Sequence, residues 1–282
     1  DVITDLSLDW LRQAGDEDTP WCLLVQHKAP HRPWKPAARH ADLFEDADPD
    51  LPDSFFDDYS HRSTAAREAR IRVARDLGKK DLKQDPPEGL EGDDYARWAF
   101  RRYIVDYLRC VVALDEGVGR LLDFLDETGQ ADDTVVVYTS DQGFFLGEHG
   151  WFDKRWMYEE SLRTPLIVRW PGVVEPGSVN TDLVMNLDYA QTLLDAGGVA
   201  APATMQGRSL LPLLRGSTPS DWRDAIYYQY FAYPDWHMVQ RQYGVRTHRH
   251  KLIHYYEIGE WELFDLARDP NELNSVYDDP AY

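Results

Sequence analysis

The sequence predicts an α/β fold followed by a small antiparallel sheet, and three features predict it. A helical pattern over residues 93–128 leads directly into the β-branched, uncharged run at 134–139. A second apolar run, residues 166–169, is ended by Pro171-Gly172 and precedes another helical stretch at 187–196. Past Arg223 the texture changes to short aromatic segments separated by turn residues. Helices alternating with apolar strands imply layered α/β packing, whereas consecutive short strands with turn signals imply an antiparallel meander.

Residues 1–15 space Ile3, Leu6 and Trp10, with Leu8 and Leu11, as one amphipathic helix that Gly15 ends. WCLLVQ at 21–26 follows Thr19-Pro20 and reads as a short buried strand with His27 at its C-terminal end. Residues 28–59 crowd Pro, Asp and aromatics, the profile of a long ordered loop of the kind that covers active sites. At 62–83, Arg and Ala alternate around Ile71, Val73 and Leu77, which predicts a solvated helix with a charged face. Over 93–128, apolar positions from Trp98 and Tyr103 to Leu122 and Leu125 keep helical spacing, and Gly129 is placed as the stop.

The run at 134–139 is then a central parallel strand reached by a crossover, 166–169 a further strand, and 187–196 a helix capped by Asn186. Four strands close the chain at 226–231, 243–246, 251–256 and 261–266. The α/β portion is expected to cover 1–222 and the antiparallel subdomain 223–282.

Composition narrows the function. Hydrophobic residues at 43 % and aromatics at 13 % describe a globular chain with many cleft-lining side chains. A net charge of −20 repels nucleic acid and anionic membrane surfaces, yet a local cation cluster in a water-poor cleft can still hold a small anion. Cys22 and Cys110 lie in apolar patterns without metal-ligand spacing and are expected to be buried thiols. No apolar run approaches the ~18 to 20 residues of a membrane span. The chain opens at Asp1 in mid-pattern, so a preceding native portion is expected.

The chemistry concentrates in DQGFFLGEHGWFDK, residues 141–154. In an open α/β sheet, ligands gather beyond the carboxyl ends of strands, where Asp141, Gln142 and Gly143 would stand. Asp141 and Gln142 offer hard oxygens suited to Ca²⁺ or Mg²⁺, with Gly143 allowing a tight turn. Alternatively the turn is structural, with Asp141 accepting backbone N–H bonds. Lys154 can neutralise an oxyanion as a point charge, and His149 can donate a proton or hydrogen bond near neutral pH.

The stretch VVVYTSDQGFFLGEHGWFDKRWMYEESLRTPLIVRWPG resembles the sulfatases of the alkaline-phosphatase superfamily. By that resemblance the fold is the C-terminal part of an alkaline-phosphatase-like mixed or parallel sheet with flanking helices, the N-terminal portion being absent. Asp141 and Gln142 are then ligands of one calcium ion, with its other ligands upstream, and Lys154 binds the sulfate. His149 is a loop residue near the substrate.

HKAPHRP, residues 27–33, also resembles a family segment, one bearing a histidine near the ester oxygen, in a His-x-Pro step that here is His31-Arg32-Pro33. His31 is therefore the expected acid for the leaving alkoxide and His27 the alternative, histidine's ordinary pKa of about 6.5 suiting that task. Pro30 disfavours a helical zinc pair. The tail GVRTHRHKLIHYYEIGEWELFDLARDPNELNS is similar to the sulfatase C-terminal subdomain.

The family's nucleophile is a formylglycine made in a Cys/Ser-x-Pro-x-Arg motif, and this chain has none; STPSD at 217–221 places Asp where the motif needs Arg. The resemblance thus implies a sulfuric ester hydrolase acting on a sulfated carbohydrate and secreted or periplasmic, with the nucleophile upstream. The chain alone is expected to be inactive and to bind calcium weakly, two ligands being few for an ion that takes about six to eight. Alternatives are a phosphate or phosphonate ester hydrolase of the same superfamily and a noncatalytic glycan-binding fragment.

Overall fold

The computed structural model describes residues 1–15 and 19–282. Its helices are α1 (Val2–Gly15), α2 (Thr64–Glu68), α3 (Val73–Asp76), α4 (Lys79–Leu82), α5 (Gly92–Glu127), α6 (Glu159–Leu162), α7 (Leu187–Ala196) and α8 (Leu211–Leu214). Its strands are β1 (Val136–Thr139), β2 (Phe145–Leu146), β3 (Phe152–Asp153), β4 (Leu166–Arg169), β5 (Ala225–Tyr230), β6 (Gln242–Thr247), β7 (His250–Tyr255) and β8 (Glu260–Asp265). The result is the mixed α/β fold with a small antiparallel sheet that the sequence predicts.

Two compact units divide the chain: residues 1–55 with 71–134, and residues 56–70 with 135–282. The step at 222/223 falls inside the second unit.

The first unit is built on α5, 36 residues long, against which α1, α3 and α4 pack. The buried stripe of α1 is Thr4, Ser7, Leu8 and Leu11; Leu6 and Trp10 are exposed, so the helix is rotated from the expected face. The reason is visible at Gly117 of α5, where a β-carbon would lie 2.6 Å from Thr4 Oγ1: the side chain of Thr4 fills the space that the glycine leaves, which turns the Thr4 side of α1 toward α5. Trp34 packs on Tyr103, and Phe55 on Phe100. Buried Asp106 gathers Lys83 at 2.6 Å, Arg109 at 3.1 Å and Arg102 at 3.3 Å.

Residues 21–26 form no strand, because no segment among the described residues pairs with them; they alternate half-buried and exposed, which leaves Cys22 exposed, against expectation, and Cys110 buried. The single solvated helix expected at 62–83 is three short helices. Ala65, Ala66, Ala69, Ile71 and Val73 are buried, the backbone turns extended at Ala69 and Leu77, and the Arg70 N–H donates to the His237 carbonyl at 2.7 Å.

In the second unit β1 pairs with β4 antiparallel, not parallel. A parallel partner needs a crossover, usually a helix that carries the chain back along the sheet; here the connection carries the β2–β3 hairpin and only the four-residue α6, and returns β4 in the opposite direction. Asn186 makes no side-chain cap for α7. Buried Asp188 instead anchors the start of α7 to its surroundings: it accepts the Met185 N–H at 2.7 Å and the Arg208 N–H at 2.8 Å and pairs with Arg223 through both oxygens.

The last sheet runs β5-β6-β7-β8, antiparallel throughout. Its inner face packs Tyr255 and Phe264 against Trp156 and Tyr158. On that face Lys251 is fully buried and ion-paired with Glu159 at 2.9 Å and Glu272 at 2.7 Å, while Arg246 holds Glu159 from β6. Glu272 also accepts the Glu159 N–H at 2.7 Å, so α6 is fastened to the sheet at its first residue.

Candidate active site

The chain leaves β1 at Thr139 and enters Asp141-Gln142-Gly143, which lies against α6: the Gly143 N–H donates to the Ser161 carbonyl at 2.8 Å. Glycine is required here for closeness of approach, since a β-carbon would sit 2.0 Å from the Glu160 carbonyl oxygen. The β2–β3 hairpin then brings Asp153, Lys154 and Arg155 back to the same place. Asp141, Gln142, Lys154 and Arg155 line one cavity of about 350 Å³, whose wall is completed by Ser161 and by Tyr228 and Tyr230 of β5.

Asp153 organises the two cations. Its carboxylate is 2.7 Å from Arg155 Nη1, 3.5 Å from Lys154 Nζ and 3.0 Å from His237 Nε2. Burial pushes this carboxyl up, but the His237 hydrogen bond and the Arg155 and Lys154 charges outweigh it and hold it well below the usual range. The Arg155 carbonyl accepts from the Tyr228 hydroxyl at 2.9 Å and from Gln242 at 3.3 Å. Burial raises the phenol of Tyr228 and takes that of Tyr230 to about 12, so both remain protonated donors at neutral pH.

His149 lies elsewhere. It is fully buried, its carbonyl accepts the Tyr59 hydroxyl at 2.5 Å, and Nδ1 lies 2.9 Å from Arg62 Nη1 and 3.1 Å from Asp57 Oδ2. Burial and the Arg62 charge drive its pKa well below the ordinary value, leaving a neutral ring wedged among Phe145, Trp151 and Tyr158. Next to it, Glu160 is raised to about 8 by burial and by the charges of Glu272 and Glu148.

His27 and His31 belong to the first unit. His27 is hydrogen-bonded to Thr4 at 3.0 Å and its pKa is lowered by burial. His31 is exposed, with Nδ1 3.1 Å from Lys28 Nζ and 2.6 Å from the Arg32 carbonyl.

Residues 1–199 match the family described as Sulfatase, and residues 147–282 the one described as N-sulphoglucosamine sulphohydrolase, C-terminal. The chain belongs to the sulfatase family. It is 42 % identical to the N-acetylglucosamine-6-O-sulfatase of Bacteroides thetaiotaomicron, over all of this chain and 58 % of that protein. It is 29 % identical to human N-acetylglucosamine-6-sulfatase over 82 % of this chain and 38 % of that one. A solved structure, described as in complex with its substrate D-glucosamine-2-N,6-O-disulfate, superposes with a TM-score of 0.95 at 41 % identity, covering all of this chain and 65 % of the other. A phosphonate monoester hydrolase from Silicibacter pomeroyi follows at 0.79 and 26 %, over 99 % of this chain and 56 % of the other. The chain thus spans about three fifths of the length of the first of these relatives.

For a sulfatase, the cavity has a suitable donor set. Asp141 and Gln142 are adjacent hard oxygens, chemically apt for calcium as two of its several ligands. Among the described residues no group of three or more His, Cys, Asp or Glu comes together to hold a metal. No helix among them is long and apolar enough to cross a membrane.

Sequence reasoning passed over Arg155, Ser161 and Tyr228. The signals were present: Arg155 adjoins Lys154, and Tyr228 and Tyr230 stand two apart on one strand, hence on one face.

Proposed function

We propose that this chain carries the sulfate-binding and metal-binding half of a glycan sulfatase site that cleaves a 6-O-sulfate from a glucosamine-type sugar. The observation that carries the reading is the meeting of Lys154 and Arg155 with Asp141 and Gln142 around one cavity. Its sugar preference rests on the relatives that act on N-acetylglucosamine 6-sulfate. Residues 223–282 serve as the supporting subdomain, since their sheet fixes α6 and Arg155.

In this reading Lys154 neutralises the sulfate oxygens as charge moves onto them, and Arg155, its carbonyl held by the Tyr228 hydroxyl, orients the anion. Asp141 and Gln142 would hold a calcium ion, which supplies further charge neutralisation when bound. The nucleophile, a formylglycine, lies outside these 282 residues, so this chain alone releases no sulfate. The leaving alkoxide needs an acid, and the resemblance of the His-x-Pro step at residues 31–33 makes His31 the first candidate; the hydrogen bond of His27 to Thr4 makes His27 the second. The setting is secreted or periplasmic.

The test is sulfate release from 6-O-sulfated N-acetylglucosamine by the full-length protein that contains this chain. Lys154→Ala is expected to lower kcat/KM by about 100-fold or more with the fold intact. Faster turnover of phosphonate or phosphate monoesters than of any sulfate ester would transfer the site to the branch represented by the phosphonate monoester hydrolase.

A further inference from the structure

We propose that Trp236, on the connection between β5 and β6, is a stacking platform for a second sugar ring, the one linked to the residue held in the cavity. The inference rests on the function proposed above.

The connection is pinned along its length. Arg241 donates to the Phe231 carbonyl at 2.6 Å and also holds the Tyr233 carbonyl and the Glu257 carboxylate. Asp235 accepts the Tyr230 hydroxyl at 3.2 Å and the His237 N–H at 2.8 Å, and the His237 carbonyl accepts from Arg70 at 2.7 Å. The backbone on both sides of Trp236 is therefore fixed, yet Trp236 is 62 % exposed and Phe231 is 65 % exposed.

Its neighbours tie it to the cavity. His237, whose ring is 5.3 Å from the indole, turns inward to Asp153 at 3.0 Å. Asp153 begins the turn whose next two residues line the cavity, and Tyr230, bonded to Asp235, lines it as well. The loop that carries the indole is thus bonded on both sides of Trp236 to the cavity wall and to the turn that bears its cations.

Scattered exposed apolar side chains are ordinary in proteins. A largely exposed tryptophan on a fixed backbone, in a loop bonded to the wall of a cavity, is different, because it presents a large aromatic surface at a set position. A pyranose ring presents an apolar C–H face that such a surface can cover. That contact does not depend on charge, which matters on a chain of net charge −20 facing an anionic glycan. Binding energy from the non-reacting sugar can then be used at the reacting bond.

The experiment compares 6-O-sulfated N-acetylglucosamine with a disaccharide bearing the same sulfated residue at its non-reducing end, using the full-length protein. Trp236→Ala is expected to lower kcat/KM on the disaccharide about tenfold while the monosaccharide stays within about twofold, and Trp236→Phe to restore most of the difference. Equal loss on both sugars, or no loss on the disaccharide, overturns the platform. If the parent protein hydrolyses neither sugar, the function proposed above fails, and saturation-transfer NMR with the disaccharide decides the platform separately. Transfer to the second ring that disappears in Trp236→Ala supports it; transfer that is absent in the parent or unchanged in the variant overturns it.

Discussion

At Gly143 the Glu160 carbonyl occupies the space any side chain would need. Gly143→Ala is expected to destabilise the protein by about 1–3 kcal/mol, as overpacking does, read as a lower denaturant midpoint at unchanged slope. Glu160 itself offers a pH test. Its ordinary pKa near 4.5 rises to about 8 on folding, so the stability it contributes is complete below pH 4.5 and is lost as pH rises to about 8. Glu160→Gln should therefore flatten the decline in melting temperature between pH 5 and 8.5 and exceed the parent at the alkaline end; parallel curves would contradict this. That Asp141, Gln142 and Lys154 come together was legible in the sequence because they share one short motif, and the structure brings all three to one cavity. The burial of His149 could not, since Asp57, Tyr59 and Arg62, which enclose it, lie about 90 residues away in sequence.

Lys251 is the point where sheet and helix are joined, and two carboxylates depend on it. Lys251→Met leaves Glu159 and Glu272 facing each other in the interior and should cost about 3–5 kcal/mol, measured by denaturant unfolding. Because Glu159 begins α6, sulfate turnover should fall in the same variant under conditions where it remains folded. Elements with a strong period of their own were legible: α5, α7 and the four strands β5–β8 fall within a residue or two of their expected bounds. Strand direction was not, because an apolar run such as 134–139 has the same period whichever way its partner points. The helix expected at 62–83 failed for a related reason: alternating Arg and Ala permits a helix, but buried contacts of Ala65, Ala66, Ala69 and Ile71 decide otherwise.

The whole chain carries 50 acidic against 30 basic residues, while the cations that line the cavity are Lys154 and Arg155. Long-range repulsion of an anionic sugar is weakened by salt, since the screening length falls to about 8 Å at physiological ionic strength. For the full-length protein, kcat/KM on the sulfated monosaccharide is expected to rise as sodium chloride increases from low to physiological levels; a steady fall would show that attraction by the local cations governs the approach. Charge and fold class at this scale were readable from composition and pattern, whereas the division into two units at residue 134 was not, because no linker composition marks it. The turn that carries the cations has a further consequence. Asp153 and Arg155 adopt φ of 76° and 90°, a region costly for side chains other than glycine. A lineage selected for heat resistance alone would drift toward glycine at both positions and lose its grip on anions, so their retention in a descendant would be a record of continued use.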